Sequence, residues 1–316
     1  MPLAEAAATS RDIVCSLEAI AYALGDLRDI GEIRELREEP DTLAALRAGG
    51  LERYSVTDRS PLDQAELSLV QTLAQRRSRE PIEAVIYASE SPWSEALYVQ
   101  LNRMLVRVGL RDAYPIGLSL SGCTNFSTAI RLAAGLIHAE GLHNILVVCS
   151  DRAPENGRRT MRPGVCVFSD GAVSCMVGRA GTGEFDVLRI GHENAPEMGE
   201  FNLEQDAAGL VMGIVDGVRK AVQRALVPIG HEPEHMRRLL LGNFCRHIAG
   251  MYANLSGFSE EQCFFDNIPR FAHTYAGDPL INLCDSHRGN PLAPGDLCML
   301  LGIAVTSWGV LVLRKT

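Results

Sequence analysis

The chain has 316 residues, 47% of them hydrophobic and 22% charged, with a formal net charge of −9. That length supplies a large core, either one large domain or two halves of about 150 residues. The acidic balance is spread without blocks and no basic, aromatic-rich surface is present, which argues against a nucleic-acid partner. No apolar run reaches the roughly 18 residues of a membrane span, and no signal-like segment is evident, so a soluble cytoplasmic protein is expected. The nine cysteines include no CxxC pair, which fits neither a zinc knuckle nor a secreted disulfide scaffold.

In chain order, DIVCSLEAIAYAL (12–24) is a weak strand candidate whose start reads equally as helix. The run after Asp58 places Leu62, Ala65, Leu69 and Leu73 on one helical face, with Ser60 as cap and Pro61 at the first position. PIEAVIYASES (81–91) reads as a buried parallel strand, followed by a helix over about 95–108 and then YPIGLSLSG (114–122). Beyond it, Phe126, Ile130, Ala133, Ala134 and Ile137 keep helical spacing, NILVVCSD (144–151) is a strand, and GVCVFSDGAVSCMVGRA (164–180) reads as strand, tight turn, strand.

A second half is expected to begin near Phe185. Leu210, Ile214, Val218, Val222 and Leu226 form a helical stripe closed by Pro228 and Gly230. RRLLLGNFC (237–245), a helix over about 247–255, a strand CFFDNI (263–268), a helix within TYAGDPLINLCDSH (274–287) and two final strands (296–304 and 308–315) follow. The alternation of helix and strand predicts layered α/β packing. The halves, 1–184 and 185–316, follow a loosely similar order of elements without a matching sequence repeat.

Cys123 is the first candidate for chemistry. Small residues turn over Gly122 into an amphipathic helix, so the thiol sits at a helix N-terminus, where the peptide dipole favours thiolate. Histidine is the natural proton handler. His273 follows a strand candidate and precedes a helix, though the same position suits a capping or surface histidine, and His247 competes with it as base. Asn243 stands at another strand end, where its amide can donate to a carbonyl oxygen or merely bond its own backbone. SDGAVSC (169–175) has neither phosphate-loop nor dinucleotide spacing, and no HExxH or carboxylate cluster suggests a metal.

These segments resemble the 3-oxoacyl-acyl-carrier-protein synthase III branch of the thiolase-like superfamily. SLSGCTNFSTAIRLAAGLI is similar to its nucleophile segment, HNILVVCSD with GVCVFSDGAVSCMV to its strand and GDGAG-type turn, and the last hairpin to its Trp-Gly pair at Trp308 and Gly309. The resemblance implies a thiolase fold of two similar α/β halves in αβαβα layers. It also implies a homodimer and a Cys123 acylated by acyl-CoA or an acyl-carrier protein. No tightly bound cofactor is implied, CoA or phosphopantetheine arriving as the thioester substrate. Arg158, Arg159 and Arg162 are candidates for its phosphate, although a solvated basic loop explains them as well.

Two departures stand out. GNFCR puts Asn243 where the family carries histidine, and FAHTY puts His273 where it carries asparagine. The family's glycine triple before the last strand is replaced by Ile303, Ala304 and Val305, leaving the second oxyanion donor open. Three functions are compatible with this pattern. They are acyl transfer to a hydroxyl or amine in specialised metabolism, decarboxylative condensation with a malonyl thioester, and a silent partner subunit of an active homologue.

Overall fold

The computed structural model describes residues 13–91, 93–94, 96–155, 157–201 and 206–316, without the side chains at 162, 163, 207 and 208. Its nine-stranded mixed sheet is built from β1 (Cys15–Leu24), β2 (Ala84–Ala88), β3 (Tyr114–Leu118), β4 (Asn144–Asp151), β5 (Gly171–Gly178), β6 (Phe185–Asn194), β7 (Arg238–Leu241), β8 (Leu297–Ile303) and β9 (Ser307–Lys315). Across the sheet the order is β7-β8-β9-β6-β1-β5-β4-β2-β3. A short antiparallel seam between β1 and β6, from Cys15–Val187 to Leu17–Phe185, joins two runs of strands. Each run leads outward from its first strand to its last, then to the strand before that, and then to an earlier parallel one.

The helices complete the layers. The helix α1 (Pro61–Gln75) starts as its sequence predicts, with Ser60 accepting from the Asp63 N–H and Pro61 in the first turn, and it covers the outer face of β1, β4 and β5. The next, α2 (Leu97–Arg107), packs beside it. Two helices fill the middle layer, α3 (Asn125–Glu140), and α6 (Asp278–Gly289) near the C-terminus. Phe126, Ala129, Ile130, Ala133, Ala134 and Ile137 of α3 and Leu280, Ile281 and Leu283 of α6 share one core with strands of both runs. Each fully buried Phe or Ile there contributes about 1.5–3 kcal/mol relative to exposure. On the far face lie α4 (Ala207–Leu226) and α5 (Arg246–Leu255), packed against β6, β8 and β9. This is the αβαβα arrangement of the thiolase fold.

Two predicted elements take another form. The expected strand at 263–268 is reduced to a single parallel bridge, Leu239–Cys263, on the outer edge of β7. Asp266 and Asn267 favour a turn, and Pro269 opens the short helix Ile268–Phe271 instead. The two strands expected in 164–180 do form, but they do not pair with each other across the turn. Cys166–Val167 pairs with Thr160–Met161 in a separate two-stranded ribbon, whereas β5 belongs to the main sheet. In contrast, the weak N-terminal candidate is a ten-residue strand near the sheet centre.

Candidate active site

The middle-layer helices α3 and α6 bring chemistry to the site at their N-terminal ends, because the two runs of strands present them to one another. Cys123 lies in a 3-10 turn, Gly122–Thr124, that leads straight into α3. Glycines shape its seat. Gly122 has φ +56°, and a Cβ there would lie 2.8 Å from that of Ala304. On the sheet, Gly302 and Gly309 are register partners, and a Cβ on Gly302 would come within 2.7 Å of the Cys123 carbonyl oxygen. The nucleophile turn thus rests on backbone left bare by two facing glycines.

His273 is fully buried and pinned through its main chain. Its N–H donates to the Val167 carbonyl at 3.0 Å, and its carbonyl accepts from the Ser169 N–H at 2.8 Å. Non-glycine residues with positive φ stand on both sides, Ala272 at 56° and Tyr275 at 55°. Such conformations cost on the order of 1–3 kcal/mol each and persist where surrounding structure dictates them. Phe244, Phe168 and Tyr275 surround the imidazole, with ring centroids 4.9, 5.7 and 6.0 Å away.

From this position His273 Nε2 lies 3.2 Å from Cys123 Sγ, and Nδ1 lies 2.5 Å from Asp278 Oδ2. Asp278, the first residue of α6, is also fully buried. Its carboxylate accepts from the Thr274 N–H and hydroxyl at 2.7 and 2.5 Å, from the Asn243 N–H at 2.6 Å and from Asn243 Nδ2 at 3.2 Å. With the helix terminus, these donors compensate the buried charge. Because the carboxylate only accepts, His273 Nδ1 carries the proton and Nε2 faces the sulfur. Burial opposes the imidazolium, yet the Asp278 carboxylate and the Cys123 sulfur outweigh it and move the His273 pKa well upward.

Asn243 is placed differently from the expectation. Its Nδ2 is committed to Asp278, and its Oδ1 accepts from Asn282 Nδ2 at 3.0 Å. Both ends of the amide are engaged behind the histidine, so Asn243 supports Asp278. Asp278, which the sequence reading passed over, takes the third place in the relay. The signal available was an acid five residues after His273, before a proline, at a helix start. His247 is exposed in the first turn of α5 and stands outside this cluster.

The arginine candidates are likewise engaged. Arg159 makes a two-pronged ion pair with buried Asp170, at 2.9 and 2.8 Å, and Arg158 pairs with Glu39. Asp170 also accepts from the Thr57 and Ala153 N–H groups, so Arg159 serves as an anchor for the segment that holds His273. The Arg162 side chain lies outside the described residues. An open cleft of about 560 Å³ beside Arg159 is lined by Arg34 and Arg152, but also by Glu32, Glu35, Asp58 and Glu155, which balances its charge. The Ala304 N–H, at the replaced glycine triple, donates to the Ser307 carbonyl at 2.9 Å and closes the last hairpin. Among the described residues no group of three His, Cys, Asp or Glu is arranged to hold a metal, and no helix is long and apolar enough to cross a membrane.

The fold is that of a thiolase-type protein. The family model described as 3-oxoacyl-[acyl-carrier-protein (ACP)] synthase III matches residues 120–194, the stretch that contains Cys123. No curated protein matches the chain by sequence. Among solved structures, the chain is similar to ChlB3, described as an acyltransferase, with TM-score 0.81 and 19% identity over 95% of this chain and 97% of that one. It is similar to 3-oxoacyl-[acyl-carrier-protein] synthase III from Aquifex aeolicus VF5, with TM-score 0.77 and 17% identity over 95% and 100%. A third is OleA from Xanthomonas campestris with bound lauric acid and lauroyl-CoA, with TM-score 0.78 and 14% identity over 95% and 98%. At these identities the likeness establishes the fold. The chain has the fold of these proteins, and that fold brings Cys123, His273 and Asp278 together.

Proposed function

We propose that the protein is an acyltransferase that carries an acyl group on Cys123 between a thioester donor and a hydroxyl or amine acceptor. The observation that carries this reading is the continuous relay from Cys123 through His273 to Asp278. His273 Nε2 takes the thiol proton, and the sulfur attacks the thioester carbonyl. The departing CoA or carrier thiolate receives that proton, leaving acyl-Cys123. The acceptor then gives its proton to the same nitrogen as it attacks, and Cys123 leaves and is reprotonated. Asp278 keeps the tautomer and balances the imidazolium in both steps. The N–H groups of the nucleophile turn are the candidate oxyanion donors.

Condensation with a malonyl thioester needs donors for the enolate that forms when carbon dioxide leaves. Asn243, whose amide is the other candidate donor to a carbonyl oxygen, is turned to Asp278 and Asn282, which favours transfer. CoA and acyl-carrier-protein thioesters are the donors we infer, from lauroyl-CoA in the OleA structure and from the carrier-protein synthases among the similar folds. The test is incubation with an acyl-CoA, followed by malonyl-CoA in one arm and by alcohols and amines in another. Transfer predicts ester or amide with no carbon dioxide. A β-keto product with carbon dioxide would establish condensation instead, and no acyl adduct in either arm would leave the silent-subunit reading.

A further inference from the structure

The nucleophile turn is held from a direction that the relay does not use. Glu90, just beyond the end of β2, is half-buried, and its Oε1 accepts from the Gly122 N–H at 3.0 Å and from Asn125 Nδ2 at 2.5 Å. Asn125, fully buried at the start of α3, uses its Oδ1 to accept from the Ser121 N–H at 3.2 Å. One carboxylate and one amide therefore tie the residues before and after Cys123 to the sheet. Among the described residues Glu90 makes no ion pair with Lys, Arg or His, so its charge is met by these N–H groups and by the helix terminus. The loop itself is fixed, since the Glu90 and Ser91 N–H groups donate to buried Asp151 at 2.7 and 3.0 Å.

A carboxylate bonded on both sides of a thiol fixes where that thiol stands, and here its hydrogen bonds set the place of Cys123 relative to His273. We propose that Glu90 is a positioning residue that clamps the nucleophile turn and so holds Cys123 at its reacting distance from His273. The inference rests on Cys123 as the nucleophile, but it does not depend on what acyl group is moved.

The two can be separated by alkylating the intact protein with iodoacetamide and timing modification at Cys123 by peptide mass, with Cys123→Ala as blank, beside acylation by an acyl-CoA. Glu90→Gln keeps an oxygen for both N–H donors and is expected to alkylate and to form acyl-Cys123 within about threefold of wild type, whereas Glu90→Ala loses the clamp and is expected to do both about tenfold more slowly, in line with the sensitivity of catalysis to small displacements. Wild-type rates in Glu90→Ala, or a Glu90→Gln protein as slow as Glu90→Ala, would overturn the proposal, even if acyl transfer proceeds. Slow alkylation of Glu90→Ala that Glu90→Gln rescues, in a protein that never acquires an acyl group, would sustain it and remove the acyl-transfer reading.

Discussion

At the scale of single residues, the site turns on which side chain stands behind His273. The flanking sequence pointed to Cys123 and His273 because a thiol at a helix start and a histidine in a strand-to-helix loop carry local signals. Asp278 carries none that separates it from an ordinary acidic helix start, and its role emerges only when buried Thr274 and Asn243 direct their donors at it. Replacing Asp278 with Asn puts an amide against Nδ1 and favours the wrong tautomer. Acylation by a standard acyl-CoA is expected to fall by on the order of a thousandfold in a folded protein, read by stopped-time intact mass. Asn243→Ala, which removes one of four further donors to that carboxylate, is expected to cost only about tenfold. A loss as deep as that of Asp278→Asn would mean that the amide acts directly on substrate.

The pH behaviour of one neighbouring group follows from its burial. Asp151 is pushed up to about 6 by desolvation, against the pull of the Glu90 and Ser91 N–H groups. Its folded pKa lies above the unfolded value of about 3.9, so the stability it contributes is present at low pH and is lost as pH rises from about 4 through 6. Asp151→Asn removes that slope, worth about 2–3 kcal/mol. Urea denaturation at pH 4.5 and 7 should show the variant gaining relative to wild type at the higher pH, and an unchanged difference would contradict this.

At the scale of elements, the middle helices and the glycines beneath them decide where the thiol sits. Helical periodicity made α1, α3 and α4 legible, and continuous apolar runs made β2, β4, β8 and β9 legible. The 263–268 strand was misread because its apolar start carries a strand signal, whereas a turn and Pro269 stop it after one bridge. Pairing between distant segments, such as the ribbon of Thr160–Met161 with Cys166–Val167, has no local signature at all. Gly302 tests the seat directly. A methyl there meets Phe126 at 2.6 Å and the Cys123 carbonyl at 2.7 Å. Gly302→Ala is therefore expected to lower the melting temperature by several degrees, about 1–3 kcal/mol of overpacking, and to slow acylation more than the milder Gly135→Ala on α3, where a Cβ meets nothing within 4 Å.

At the scale of the whole molecule, the thiolase fold was legible from the order of motifs, while the chemistry depended on a convergence that no linear motif records. Residues 123, 273 and 278 meet because strands from both runs clasp α3 and α6 between them. The outer edge of β3 and the adjoining α2 present Tyr114 at 70% and Tyr98 at 75% exposure, with Val99 and Val106 also exposed. Such an apolar edge is suited to a second copy of the chain. Light scattering is expected to return twice the 34.4 kDa of one chain, and Tyr114→Asp to lower that mass. A wild-type monomer at micromolar concentration would remove the dimer from the account.

The most direct test of the central claim is intact-mass spectrometry of the protein after exposure to an acyl-CoA, with the modified peptide mapped. The account predicts one acyl group on Cys123, absent from Cys123→Ala and strongly slowed in His273→Ala. An acyl group mapped to another residue, or equal labelling of the Cys123→Ala protein, would contradict it.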